Sequence, residues 1–266
     1  MLDRFERNIT YLRVSVTDRC NLRCIYCMPE EGIKHIPHNE ILSFEEIVEV
    51  CKTAVDLGVN KIRLTGGEPL VRKGIVDLVG SIAKIECVKD LNMTTNGILL
   101  EQYAQQLKNA GLMRVNISLD TLDPDEYKRI TRGGDIKAVI KGIVAAQKAG
   151  LEPIKLNAVV FDKDDDSMKL ALKDFAKKMD VQIRFISQMN LETGSFSVVD
   201  GGTGGDCDIC NRIRLTANGF IKPCLFSDDE YSVRELGAKE AILKAVQFKP
   251  EKGVTCTHRN FYNIGG

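Results

Sequence analysis

Six of the nine cysteines in this chain fall into two tight groups, and closely spaced thiols in a chain of this kind are foremost candidates for metal ligation. Cys20, Cys24 and Cys27 form a C-x3-C-x2-C run directly after an apolar, β-branched stretch. Three thiolates on one loop can each hold one iron of a cubane iron-sulfur cluster and leave the fourth iron open, and an open iron is a place for chemistry. A closed tetrahedral zinc site would need a fourth donor, and no Cys or His follows Cys27 before His35. Cys207, Cys210 and Cys224 again offer three donors. There zinc and an iron-sulfur cluster both stay open, because Cys256 or His258 could complete a tetrahedron.

Beside the second group lies RIRL, with Arg212 and Arg214 two residues apart. Residues two apart on a strand share a face, so both arginines point one way while Ile213 and Leu215 point the other. KIRL repeats the arrangement with Lys61 and Arg63, and single basic residues sit among apolar neighbours at Arg13, Lys155 and Arg184. In a parallel barrel wrapped by helices the outward face of each strand takes the apolar residues, so the basic ones look inward. Burying an unpaired cation costs several kcal/mol, and gathering like charges adds repulsion. Carboxylates on these strands are too few to neutralise the set. A polyanion such as a triphosphate would suit, arginine offering bidentate contacts and lysine point charges.

The elements that must position these groups are legible in the same stretches. From residue 11 to about 187, six runs read as strands: YLRVSV, KIRLTG, DLNMTTNG, RVNISLD, PIKLNAVVF and VQIRFIS. Helical patterns separate them, the first opened by the capping box Ser43 and Glu46 and closed by Gly58. Others follow near 74–85, 99–110, 135–149 and 166–179. Strands each followed by a helix argue for parallel βα units in an α/β fold, either a doubly wound sheet or a partial barrel. No GxGxxG follows the first strand, which weakens the dinucleotide-binding version. Residues 190–206 are Gly-rich and aperiodic and read as a linker; residues 207–266 read as a small cysteine-bearing region with a helix near 238–247.

The 266 residues are 44% apolar and 28% charged, enough for one large core. Lys and Arg (37) balance Asp and Glu (37), so no overall bias toward nucleic acid or an anionic membrane is visible and any anion site is local. The N-terminal MLDRFERNIT has neither an apolar signal region nor a transit-peptide character, and no apolar run reaches membrane-spanning length. The expectation is a cytoplasmic protein.

The cysteine run, with Tyr26 before its last cysteine, resembles the radical S-adenosylmethionine (SAM) superfamily. TGGEP, residues 65–69, strengthens the resemblance. In that superfamily the Gly66, Gly67 and Glu68 turn presents backbone groups and a negative charge to the amino group of SAM. Asn96 and Ser118 stand where the superfamily binds the ribose and carboxylate of SAM, and Met189 where it places a methionine near the active site. Over nearly the whole chain, through LRVSVTDRCNLRCIYCMP, KIRLTGGEPL, TTNG, NISLD, VQIRF, CNRIRLTANG, PCLF and the terminal IGG, the sequence is similar to the GTP 3',8-cyclases of molybdenum cofactor biosynthesis (MoaA type).

That resemblance implies a partial (β/α)6 TIM-like barrel over residues 1–189, a linker over 190–206 and a C-terminal region over 207–266. It implies two [4Fe-4S] clusters, the second on Cys207, Cys210 and Cys224 with its open iron at the guanine ring. Arg13, Lys61, Arg63, Lys155, Arg184, Arg212 and Arg214 map onto the family's triphosphate-binding residues, and Gly265 and Gly266 onto a diglycine tail that enters the active site. A radical derived from SAM would then take the 3' hydrogen of GTP, and the sugar radical would close onto C8. The implied partners are GTP, an electron donor such as flavodoxin or ferredoxin, the downstream cyclic pyranopterin monophosphate synthase and a second copy in a homodimer. The sequence departs from the family at residues 190–206, where the family carries several dozen more residues.

Overall fold

The computed structural model describes residues 1–161, 166–257 and 261–264, and among these, nine strands form one sheet. The chain begins with β1 (Tyr11–Ser15), then α1 (Phe44–Asp56), β2 (Lys61–Thr65), α2 (Ile75–Ala83), β3 (Asp90–Thr95), α3 (Leu100–Asn109) and β4 (Arg114–Ser118). Two helices follow, α4 (Pro124–Thr131) and α5 (Ile136–Ala149), then β5 (Lys155–Val160), α6 (Asp166–Lys178) and β6 (Gln182–Ser187). The six expected strands are all present, and every neighbouring pair among them is parallel. The expected helices agree as well. Helix α4 was not expected; Asp123 caps its first turn by accepting from Glu126 N, and Pro124 opens it.

Beyond residue 206 the chain returns to the sheet. The strand β7 (Arg212–Leu215) pairs in parallel with β1, on the side opposite β2, and β8 (Phe220–Lys222) and β9 (Tyr231–Ser232) add antiparallel. The helices α7 (Val233–Leu236), α8 (Ala238–Gln247) and α9 (Phe261–Ile264) complete the described chain. The strand order is β6-β5-β4-β3-β2-β1-β7-β8-β9, so the sheet is open, an α/β partial barrel rather than a closed one. Strand faces divide as the alternation requires. Leu12, Ile62, Met93, Ile117, Leu156 and Ile213 are fully buried toward the helices, and the polar alternates face the interior.

No helix among the described residues is long and apolar enough to cross a membrane.

Candidate active site

Register brings the cations into layers. Arg13 on β1 stands opposite Arg63 of β2 on one side and Arg214 of β7 on the other, and all three are buried. One layer earlier, Tyr11 stands between Lys61 and Arg212 in the same way. Lys155 and Arg184 continue the set on β5 and β6 and are partly buried. The cost of this gathering is visible in the proton affinities. Burial, then Arg214, Arg63 and Arg212, hold the Arg13 guanidinium well below the ordinary arginine range; burial and Arg212 bring Arg214 down to about 10. Burial and the neighbouring arginines bring Lys155 down to about 8. Among the described residues one carboxylate pairs with the group: Asp90 meets Lys61 at 3.1 Å and Arg114 at 2.6 Å. Asp90 therefore neutralises one edge, and Arg63 Nε donates to Asn92 Oδ1.

The first cysteine group is held by the turn that ends β2. Gly67 N donates to Thr17 O at 2.7 Å and Glu68 N to Arg19 O at 2.8 Å, stitching the turn to the segment that enters Cys20. A Cβ on Gly66 would lie 2.5 Å from Thr17 O and one on Gly67 2.3 Å from Arg19 O. The two glycines are thus required by the chain lying against them, a reason separate from the approach of a ligand expected from the sequence. Glu68 is buried and accepts from Leu70 N, from Thr95 Oγ1 at 2.7 Å and from Asn96 N at 2.6 Å. Burial still pushes its carboxyl up to about 7. Asn96 donates to Asn21 Oδ1 at 2.7 Å and reaches Cys20 Sγ at 3.8 Å. Tyr26 donates to Asp120 Oδ2 at 3.0 Å, and Asp120 also accepts from Val159 N.

The donor set fits a multi-iron centre. Burial pushes the Cys20 thiol up to about 11 and the Cys27 thiol up to about 12, and Cys24 rises further through burial and Asp120. The charged groups acting on these thiols, Glu68, Asp120 and the other cysteines, all oppose ionisation. A metal centre supplies the positive charge that draws such thiols to thiolate.

The second group has the opposite electrostatics. Lys249 is buried and donates to Arg212 O at 2.8 Å and Pro223 O at 2.6 Å, and with Arg212 it holds the Cys210 thiol below the ordinary value despite burial. Arg7, paired with Asp3 at 2.7 Å, donates to Cys207 O, Glu251 O and Pro250 O. Cys256 packs instead with Leu191, Phe226 and Ile264 in a small apolar cluster. His258 lies outside the described residues.

One cavity of about 320 Å³ joins these parts. All six grouped cysteines line it, together with Arg13, Arg212 and Arg214. Gly66, Gly67, Glu68, Tyr26, Asn96, Ser118 and Met189 line it too, so every expected SAM-site residue reaches the same space. Lys61, Arg63, Lys155 and Arg184 do not line this space but adjoin it through the layers described above. Gly265 and Gly266 lie outside the described residues; Phe261, four residues before Gly265, lines the cavity.

Residues 190–206 also line it, through Phe196, Val199 and Gly204 among others, and so do more than tether. Asp200 bridges to Phe185, Gly201 O accepts from Arg184 Nε at 3.1 Å, and Thr203 O accepts from Arg212 Nη2 at 3.1 Å. The segment runs from the β6 edge to β7 across the open side of the sheet. Sequence reasoning passed over Tyr11, Arg114, Asp120 and Lys249. Tyr11 and Arg114 carry the same strand phase as the basic residues that were found, whereas Lys249, in FKPEKG, has no local signal at all.

Comparisons with known proteins bear on the family and the fold. The radical SAM superfamily model matches residues 14–176. A GTP 3',8-cyclase of Thermodesulfovibrio yellowstonii is 43% identical, covering 94% of this chain and 95% of that protein. A GTP 3',8-cyclase of Petrotoga mobilis is 41% identical over all of both chains. That second alignment spans 323 positions against 266 residues here, so the relative carries several dozen residues that this chain lacks. The structure of Streptococcus suis SuiB bound to S-adenosylmethionine superposes with a TM-score of 0.67 over 91% of this chain and 64% of that one; at 15% identity it bears on the fold alone.

Proposed function

The chain belongs to the radical SAM superfamily and, within it, to the GTP 3',8-cyclase family, and on that premise we propose that it converts GTP to 3',8-cyclo-7,8-dihydro-GTP in molybdenum cofactor biosynthesis. The observation that carries the reading is the single cavity touched by both cysteine triads and by three inward arginines. In this reading Cys20, Cys24 and Cys27 hold one [4Fe-4S] cluster and Cys207, Cys210 and Cys224 a second. When bound, the first cluster and SAM supply a reactive 5'-deoxyadenosyl radical.

The chain's own residues bind, orient and enclose. Glu68 and the Gly66–Gly67 backbone take the SAM ammonium, Asn96 and Ser118 its ribose and carboxylate, with Tyr26 and Met189 at its sides. Arg13, Lys61, Arg63, Lys155, Arg184, Arg212 and Arg214 take the triphosphate, exchanging mutual repulsion for charge-assisted hydrogen bonds. The base then lies toward Cys207–Cys224 and the sugar toward the first triad, between the two metal centres. Gly265 and Gly266, outside the described residues, are assigned a part in the reaction by the family reading alone. The residues divide as a core over 1–189, a closing segment over 190–206 and a second-cluster region over 207–266. A flavodoxin- or ferredoxin-type electron donor, delivery of product to cyclic pyranopterin monophosphate synthase, a homodimeric assembly and a cytoplasmic location belong to the family reading.

Anaerobic reconstitution followed by incubation with SAM, dithionite and GTP tests this directly. The expected outcome is 5'-deoxyadenosine formed in proportion to GTP, with little formed when ATP or UTP replaces it. SAM cleavage indifferent to GTP would overturn the assignment.

A further inference from the structure

Tyr11 sits in the middle of the cation layers with nothing to do. It is 5% exposed, and its hydroxyl finds no hydrogen-bond partner among the described residues. Its ring is flanked by Lys61 Nζ at 4.9 Å, Arg63 Cζ at 5.5 Å and Arg212 Cζ at 5.9 Å from the centroid. An electron-rich ring can hold cations without neutralising them, so it gathers the charges and leaves them available. The hydroxyl is a different matter. A buried O–H without an acceptor costs free energy, and native proteins rarely leave one in place. The charged groups that act on it, Arg63, Arg13, Arg212 and Lys61, carry donors only, and Asp90 is taken up by Lys61 and Arg114. Among the described residues no acceptor meets it, and among these cations the fitting acceptor is an anion.

Depth narrows the choice. Tyr11 lies two residues before Arg13 on β1, a step of about 7 Å toward the N-terminal ends of the strands. Arg13 and Arg214 line the cavity from one layer, and Arg212 lines it from the layer it shares with Tyr11 and Lys61. That step is close to the length by which a triphosphate exceeds a monophosphate. Resting on the functional reading above, we propose that the Tyr11 phenol is a direct ligand of the outer phosphates of a nucleoside triphosphate, donating its hydroxyl proton to a phosphate oxygen in the layer of Lys61 and Arg212.

The test is Tyr11→Phe, which keeps the ring and its cation contacts and removes only the hydroxyl. Dissociation constants for GTP and GMP are measured by calorimetry on the reconstituted protein, alongside iron content and thermal midpoint. The expected result is GTP binding weakened roughly tenfold to a hundredfold, the range for a lost hydrogen bond to a charged group. GMP binding and iron content stay unchanged, and the nucleotide-free thermal midpoint is not lowered, since an orphaned buried hydroxyl has been removed. Tyr11→Leu, which also removes the ring, should weaken GTP further. GTP binding unchanged in Tyr11→Phe overturns the proposal while leaving the cyclase assignment standing. Equal weakening of GTP and GMP, or a lowered midpoint, overturns it in favour of a packing role. Wild-type protein that binds no nucleoside triphosphate overturns the assignment and this proposal together.

Discussion

Glu68 shows how one side chain can set a pH dependence. Burial lifts its carboxyl to about 7, so between the ordinary carboxylate range and that pH the folded protein holds a proton that the unfolded chain has already lost. Its contribution to stability is therefore fullest at acid pH, declines as pH rises toward 7, and levels off above. A SAM ammonium prefers the carboxylate, so binding runs the other way: SAM affinity should fall about tenfold between about pH 8 and about pH 6 and become flat in Glu68→Gln. A flat wild-type profile would mean that Glu68 is already ionised without ligand. Arg212→Ala should weaken triphosphate binding at least tenfold while leaving iron content intact, checked by calorimetry and iron assay. At this scale the sequence was informative where period-two alternation carried the message, as at Arg13, Lys61, Arg63, Arg212 and Arg214. Alternation marks a face without saying who neutralises it, which is why the pairing of Asp90 with Arg114 could not be read. Tyr11 obeys the same phase and was overlooked because an aromatic on a strand looks like filler.

The elements divide by how local their causes are. Helix α1 announces itself: Ser43 Oγ accepts from Glu46 N, and Glu46 returns a bond to Ser43 N at 2.7 Å. Ser43→Ala should cost about 1 kcal/mol in chemical denaturation and leave nucleotide binding unchanged. The scaffold of the second cysteine group is the reverse case. It depends on Arg7 reaching Cys207 and Glu251, and on Lys249 joining β7 to the residue before Cys224, contacts more than 20 and as many as 244 positions apart. No pattern in a window of the sequence encodes such contacts. Arg7→Ala leaves Asp3 without its buried partner and should destabilise by about 3 kcal/mol. Iron should fall by about half, from about eight per chain to about four, because the first group is held independently by residues 65–68. Uniform loss from both groups would show that the scaffold is shared. Helix α4 carries the start signal Asp123–Pro124, but its eight residues are too few for an apolar period to mark it.

At the level of the whole molecule, zero net charge conceals a concentrated positive interior. A ligand that neutralises it should stabilise the entire fold: inorganic triphosphate at a hundredfold excess over its dissociation constant should raise the thermal midpoint by roughly 5 °C. Monophosphate should do less and high salt should abolish the gain; an unchanged midpoint would mean that the arginines are satisfied from within. The open barrel followed from six βα units, and what the sequence withheld was the position of β7. Parallel pairing of residues 212–215 with β1 is set by the three-dimensional closure of the sheet, and RIRL would read the same on any edge. That pairing also governs the protein's manufacture. While the nascent chain is short, β1 can gain β2 but shows a bare rim on its other side, and that rim stays bare until about two hundred further residues have left the ribosome. Cys207 cannot meet Arg7, nor can the two halves of the positive interior face each other, until the 200 positions that separate Cys207 from Arg7 have been made. Insertion of a cluster at Cys20–Cys27 can thus accompany synthesis, whereas one at Cys207, Cys210 and Cys224 would have to wait until Arg7 and Lys249 can reach that group.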